Sequence, residues 1–311
     1  MKIAFIVDPL DKLKAYKDSS VAMMRAAQAR GHSVFAIARD GLLVRDGEVH
    51  ALASALDVSL DDACWYTAAA SASQPLTAFD AVLMRQDPPF DAEYIAATWM
   101  LERAVAQGAK VFNDPRAIRD HSEKVSITEF PQFTPTTLVA RDSTSIQAFI
   151  DEMGDAILKP LDGMGGTGIF RVRADDPNRN AILETLTDNG RRSIMAQRYL
   201  PQISEGDKRI LLIAGQVMPY SLARIPMAGE TRGNLAAGGK GVAMPLTARE
   251  REVAEALAPV LWQRGLLIVG LDMIGGHLTE INVTSPTCMV EIFQQTGCDI
   301  ATRLIQALEQ L

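Results

Sequence analysis

The run Gly270-Leu271-Asp272-Met273-Ile274-Gly275-Gly276-His277-Leu278-Thr279-Glu280-Ile281-Asn282-Val283 constrains this chain more than any other stretch. Two apolar β-type segments flank a Gly-Gly pair, which reads as a β-hairpin. Glu280 and Asn282 are two apart, so on a strand they share a face. A carboxylate beside an amide oxygen is a hard donor set suited to Mg²⁺, above all where phosphates complete the shell. Asp272 joins them only if the turn holds an odd number of loop residues; a strict two-residue turn puts it on the opposite face. The other reading is the polar outer face of an amphipathic hairpin. Thr284-Ser285-Pro286-Thr287 follows, small and polar, as suits a loop whose backbone and hydroxyls touch a ligand.

With 311 residues the chain exceeds one small core, and two to three domains are expected. Net charge is −7 without any Lys/Arg block, which argues against nucleic acid or an anionic membrane as partner. No stretch of about 18 apolar residues is present to span a bilayer. The N-terminus runs directly into the strand Ile3-Ala4-Phe5-Ile6-Val7 and has no signal-peptide pattern. Cys64, Cys288 and Cys298 are too few and scattered for a disulfide framework or zinc site. A cytoplasmic enzyme is the expectation.

The first third alternates strands (2–7, 34–37, 81–85) with helices (19–30, 92–107), which predicts an open parallel sheet. The turn after the first strand is Asp8-Pro9-Leu10, so the dinucleotide-binding glycine fingerprint is missing where it belongs. A compact α+β unit follows, closed by Pro201 and Ser204-Glu205-Gly206-Asp207. The remainder is strand-rich, then a helix over 247–264, the hairpin and a closing helix. The expected domains are 1–121, 122–203 and 204–311.

Gly163-Met164-Gly165-Gly166-Thr167-Gly168 lies between two strands instead of opening a helix, so it reads as a flap over nucleotide phosphates, or as a hairpin tip without a ligand. Lys159, held extended by Pro160, and Lys124 supply point charges suited to phosphates. The strand carrying Gln197, Tyr199 and Leu200 has backbone groups suited to an adenine edge. Arg209 beside Lys208, Arg224, and the glycine- and alanine-rich stretch 229–241 with Arg232 and Asn234 suggest a lid bringing guanidiniums onto an anionic group. Arg85 and Ser19 sit at strand-to-helix connections, where open α/β sheets bind ligands; Ser19 or Asp18 is most simply a helix cap.

Four motifs together resemble the bacterial glutathione synthetases, a family of ATP-grasp carboxylate–amine ligases. They are Met84-Arg85-Gln86-Asp87-Pro88-Pro89-Phe90-Asp91, Leu158-Lys159-Pro160-Leu161-Asp162-Gly163-Met164-Gly165-Gly166, the stretch 223–239, and Leu278 to Thr287. Gln86 departs from the lysine usual in the family. The resemblance implies an ATP-grasp fold: an N-terminal open parallel-sheet domain, a central lid domain and a C-terminal antiparallel-sheet domain. It implies Mg²⁺, or Mn²⁺ in its place, on Asp272, Glu280 and Asn282. ATP is expected on Lys124, Lys159, Lys208, Gly163 to Thr167, Gln197, Tyr199 and Leu200. γ-Glutamylcysteine and glycine are expected near Arg85, Ser19, Asn234 and Ser285, with Arg209, Arg224 and Arg232 steadying anionic states. Homotetramers are common in the family. A ligase for another carboxylate and amine, or a non-catalytic nucleotide-binding protein of the same fold, are the competing readings.

Overall fold

The computed structural model describes residues 1–227, 229–230, 233 and 238–311. The first sheet contains β1 (Lys2–Val7), β2 (Ser33–Arg45), β3 (Glu48–Val58), β4 (Tyr66–Ala68), β5 (Ala72–Pro75), β6 (Ala81–Met84) and β7 (Val111–Phe112). Its order is β4-β3-β2-β1-β6-β7, with β5 also on β3. Strands β2, β1, β6 and β7 are parallel, as the βαβ alternation implies. The other half is antiparallel, because β2 runs on to Arg45 and returns as β3 through the turn at Asp46-Gly47. The sheet is therefore mixed, not purely parallel.

Helix α1 (Ser19–Ala29) starts at Asp18, whose carboxylate accepts from the N–H groups of Ser20 and Val21. Val21, Met24 and Ala27, spaced three apart, are fully buried. Helices α2 (Ala92–Ala106) and α3 (Pro115–Asp120) complete the first unit.

The central unit is a four-stranded sheet, β10-β9-β11-β8, made from β8 (Thr137–Ala140), β9 (Asp155–Pro160), β10 (Phe170–Arg173) and β11 (Ile194–Arg198). It is backed by α4 (Ser143–Met153) and α5 (Arg179–Thr187). Ile146, Ile150, Leu158, Val172, Leu183 and Ile194 form a core of its own.

The third sheet, β14-β13-β12-β15-β16, is antiparallel throughout. Its strands are β12 (Asp207–Ile213), β13 (Gln216–Ile225), β14 (Lys240–Pro245), β15 (Ile268–Ile274) and β16 (His277–Asn282). Helix α6 (Ala248–Gln263) opens with a capping box between Thr247 and Glu250. The expected single closing helix is two, α7 (Met289–Thr296) and α8 (Ile300–Leu308), parted by Gly297 in the left-handed conformation. One hydrophobic core runs from β1 and α1 through β12 to α7 and α8, joining the first and third units. Asn113 ties them further: its amide donates to the carbonyls of Ile268 and Val283 and accepts from Ile268 N–H, each at 2.8 Å.

Candidate active site

The β15–β16 turn has two residues, Gly275 and Gly276, both at positive φ (55° and 78°), with Ile274 paired to His277. The odd-length turn expected from the sequence is absent. A β-bulge replaces it: the register shifts between Asp272 and Met273, so Asp272 pairs directly with Glu280, and Gly270 with Asn282. One extra residue in a strand restores the parity that the short turn removes. Asp272, Glu280 and Asn282 thus share a face by a different route.

Asp272 is almost fully buried and bridges two guanidiniums. Arg209 donates Nε and Nη2 to its two oxygens at 2.6 and 2.7 Å, and Arg224 Nη2 lies 2.7 Å from Oδ2. Arg224 also reaches Asp207 at 2.5 Å. Burial alone raises the Asp272 carboxyl, but Arg209 and Arg224 outweigh it and hold the group far below the usual carboxylate range. Burial and the Asp272 charge push Asp207 up to about 6, against the pull of Arg224. Glycine at 270 is required here, since a Cβ would lie 2.8 Å from Arg209 Cδ and 2.9 Å from Pro286 Cβ.

A cleft of about 870 Å³, including its mouth, lies between the central and third sheets. Lys124, Lys159, Gly163 to Thr167, Gln197, Tyr199, Leu200 and Glu280 all line it, as does Asp207. Lys159 donates to the bulge residue's carbonyl, Thr279 O, at 3.0 Å, and burial lowers its ammonium to about 8 despite Glu280 nearby. Lys124 donates to Gly163 O at 2.6 Å and pairs with Glu280 at 2.8 Å, joining the glycine loop to the hairpin. Burial works against the Lys124 charge, and Glu280 more than offsets it. Gln197 donates to Thr137, and the Tyr199 ring lies 3.6 Å beneath the Arg171 guanidinium. Lys208 is a correction: it is one strand step from Arg209, so it points to the other face and pairs with Glu250 of α6 at 2.7 Å.

A second cavity, about 1640 Å³, opens between the first and third units. Arg209, Arg224, Asn282 and Ser285 line it, and Met164 and Gly165 line both cavities. Ser285 donates to Asp87, which is itself pushed up by burial despite that bond. Two expectations are corrected here. The Ser19 hydroxyl is buried and accepts from the N–H of Met289, because Asp18, not Ser19, is the helix cap. Arg85 is enclosed beneath the cavity, donating to Ser20 Oγ at 3.2 Å and Pro286 O at 2.9 Å, so it braces the 284–287 loop from below. Arg232 and Asn234 lie outside the described residues.

Sequence reasoning passed over Asp207, Glu123 and Asp87. Glu123 accepts from Val283 N–H, Thr284 N–H and Thr284 Oγ1 through one oxygen, while burial and Glu280 raise its carboxyl. The available signal for Asp207 was its place two residues before Arg209, on the same strand face.

The donor set fits a hard divalent cation. Glu280 and Asn282 present oxygens on one hairpin face where the two cavities adjoin, and Asp272 Oδ1, with one donor, retains a lone pair. Among the described residues no group of three His, Cys, Asp or Glu side chains forms a metal cluster.

The family model described as "Prokaryotic glutathione synthetase, N-terminal domain" matches residues 1–119, and "Prokaryotic glutathione synthetase, ATP-grasp domain" matches 123–297. Glutathione synthetase of Ralstonia nicotianae is 57% identical over 310 residues, covering 100% of this chain and 96% of that one. That of Bordetella parapertussis is 58% identical over 315 residues, covering 99% of each. Among solved structures, the D-cycloserine synthetase DcsG aligns with a TM-score of 0.67 at 16% identity over 99% of each chain. The ATP-grasp ligase PsnB, complexed with precursor peptide PsnA2 and AMPPNP, aligns at 0.64 and 18% identity, over 99% of this chain and 97% of that one. No described helix is long and apolar enough to cross a membrane. With both domains matched and relatives above 50% identity along its whole length, the chain belongs to the prokaryotic glutathione synthetases, ATP-dependent ligases of the ATP-grasp fold.

Proposed function

We propose that the two cavities hold the two halves of one ligation: ATP in the cleft between the central and third sheets, γ-glutamylcysteine and glycine in the second cavity. The observation that carries this is their junction. Glu280 lines one cavity, Asn282 the other, and Met164-Gly165 both. A carboxylate is a poor acyl donor, so its cysteinyl carboxylate oxygen attacks the γ-phosphorus, breaking the bond to ADP and giving an acyl phosphate. The neutral glycine amine then adds to the acyl carbon, and phosphate leaves. Lys124 and Lys159 face the phosphates and offset charge that shifts toward the leaving ADP. Arg209 and Arg224, braced by Asp272 and Asp207, present fixed positive charge to the acyl centre, and the family resemblance adds Arg232 to that role. Mg²⁺, or Mn²⁺, on Glu280, Asn282 and the open side of Asp272 would add charge neutralisation at the phosphates. Ser285 and Asn234 complete the substrate contacts. The family resemblance supports a homotetramer in the cytoplasm, and sedimentation velocity tests the assembly.

The test of the chemistry is isotopic. γ-Glutamylcysteine labelled with ¹⁸O in its cysteinyl carboxylate, turned over with ATP and glycine, delivers one label to inorganic phosphate. Unlabelled phosphate alongside glutathione would exclude the acyl phosphate.

A further inference from the structure

The cleft face of the central sheet carries a charged stack that the ligation chemistry leaves unused. In the pairing of β10, β9 and β11, Arg171 and Gln197 both lie opposite Ile157, so the three side chains leave one face. Ile157 and Gln197 line the cleft, and so does Tyr199, two residues beyond Gln197. Asp155, two before Ile157, shares that face. Its carboxylate forks the Arg171 guanidinium: Nε lies 3.0 and 3.1 Å from the two oxygens, and Nη2 lies 2.6 Å from Oδ2. Held in this way, the guanidinium carbon sits over the Tyr199 ring, 3.6 Å from its centre. The Asp155 carbonyl meanwhile accepts from Tyr199 N–H at 3.0 Å. Asp155 therefore fixes Tyr199 twice, its main chain directly and its ring through Arg171.

The Arg171 and Asp155 side chains are each 28% exposed, so as an ion pair they are screened and contribute little to stability. Their effect is on the ring. A phenol ring turns about two side-chain torsions, and a planar cation fixed against one face removes that freedom. The ring's place along the cleft says which part of a nucleotide it meets. Lys159 is four residues from Asp155 on β9, roughly 13 Å away at strand rise. With Lys159 and the glycine loop at the phosphates, Tyr199 stands at the opposite end, where the base lies. We propose that Arg171 is a positioning residue for ATP: braced by Asp155, it holds the Tyr199 ring as a wall of the nucleobase end of the cleft. The inference rests on ATP occupying this cleft.

The experiment compares ATP with ribose 5-triphosphate, which has the same phosphates and no base. Calorimetry with Mg²⁺ gives the affinity for each in the parent, Arg171→Met, Arg171→Lys, Tyr199→Leu, Tyr199→Phe and the Arg171→Met/Tyr199→Leu double variant. Arg171→Met should weaken ATP about threefold to thirtyfold, the value of one cation–ring contact, and leave ribose 5-triphosphate and the KM for γ-glutamylcysteine unchanged. Unchanged binding of the base-free ligand also reports that the cleft is folded. Arg171→Lys should lose as much, since an ammonium keeps the charge without the planar fork. Tyr199→Phe, which keeps the ring, should bind as the parent does, and the double variant should lose no more than Tyr199→Leu alone. Arg173→Met is the control, because Arg173 reaches the same carboxylate at 3.9 Å from an exposed position; it should bind ATP normally. Equal losses on both ligands, additive losses in the double variant, or an Arg173→Met variant as weak as Arg171→Met would overturn the proposal. A parent that binds no ATP would overturn the reading of the cleft as well. A parent that binds it, with an Arg171→Met variant of equal affinity, overturns the positioning role alone.

Discussion

Asp272 sits at the centre of four charges, two carboxylates and two guanidiniums, in a nearly dry site. Its replacement strips Arg209 of its partner and leaves Asp207, on Arg224, as the cluster's one carboxylate; breaking a buried pair in this way costs about 3–5 kcal/mol. Asp272→Asn should therefore lower the Tm as well as abolish turnover, whereas Glu280→Gln, at a site only half-buried, should lower metal-dependent turnover and leave the Tm close to the parent's. Thermal melts of both variants check the contrast; an Asp272→Asn melt that matches the parent would show that Asp207 alone is counter-charge enough. Lys159 makes a second claim testable. With its ammonium lowered to about 8 by burial, the free enzyme loses this charge as pH rises past 8. ATP favours the charged form, so its affinity should weaken above pH 8, and Lys159→Met should remove that slope. For stability the sign runs the other way. The unfolded chain keeps this proton to about 10.4, so this group's contribution rises with pH between those values. Titration calorimetry from pH 7 to 9.5 reads the first effect, and a flat parent curve would refute it.

At the scale of elements, the clearest sequence signals were also the most local ones. The cap of α1, at Asp18 or Ser19, and the Gly-Gly hairpin follow from two to five residues each. The bulge did leave a mark that was not read: buried Leu278 and Ile281 are three apart instead of two, with Thr279 and Glu280 adjacent between them, so the alternation breaks where pairing to β15 shows the extra residue. Strand β3 escaped notice because its inward positions include Ala51 and Ala53, and alanine carries little β signal. Lys208 and Ser19 were misplaced for a related reason: which way a side chain points depends on pairing and packing partners distant in the chain. The glycine loop invites a test at its first position. A Cβ at Gly163 would lie 3.0 Å from Pro160 Cγ and 3.2 Å from Thr167 O, so Gly163→Ala must shift the loop that Lys124 anchors. KM for ATP should rise several-fold while KM for γ-glutamylcysteine holds. Equal changes in both would mean that the loop serves the second cavity as much as the first.

Across the whole molecule, the cores divide the protein unevenly. The first and third units share one hydrophobic core and the Asn113 clasp, whereas the four-stranded unit has its own and lends Met195 to the core of the third. Segment 121–135 belongs with the base: Ile281 N–H donates to Glu123 O and Leu278 N–H to Phe133 O, at 2.9 and 2.8 Å. At the cleft, the four-stranded unit meets the base through polar contacts, notably Lys159 to Thr279 O and Gly163 O to Lys124, and through Met195 of β11, which is buried in the third unit's core with Val139 and Leu161 against it. Opening that joint exposes one methionine and its few apolar neighbours, while parting the larger shared core would expose far more apolar surface, at roughly 25 cal/mol per Å². Domain motion, where it occurs, should thus carry the four-stranded unit over a rigid base, and ATP bridging both should close it. Cys64, exposed on the base, and Thr144→Cys, exposed on α4, give a donor–acceptor pair that spans the joint. Energy transfer between them should increase when a non-hydrolysable ATP analogue, Mg²⁺ and γ-glutamylcysteine are added together. A second pair confined to the base, Cys64 with Thr302→Cys on α8, should not respond. An unchanged signal in the first pair, with calorimetry showing the analogue bound, would mean that the cleft is preformed and that water is kept from the acyl phosphate without movement of this unit.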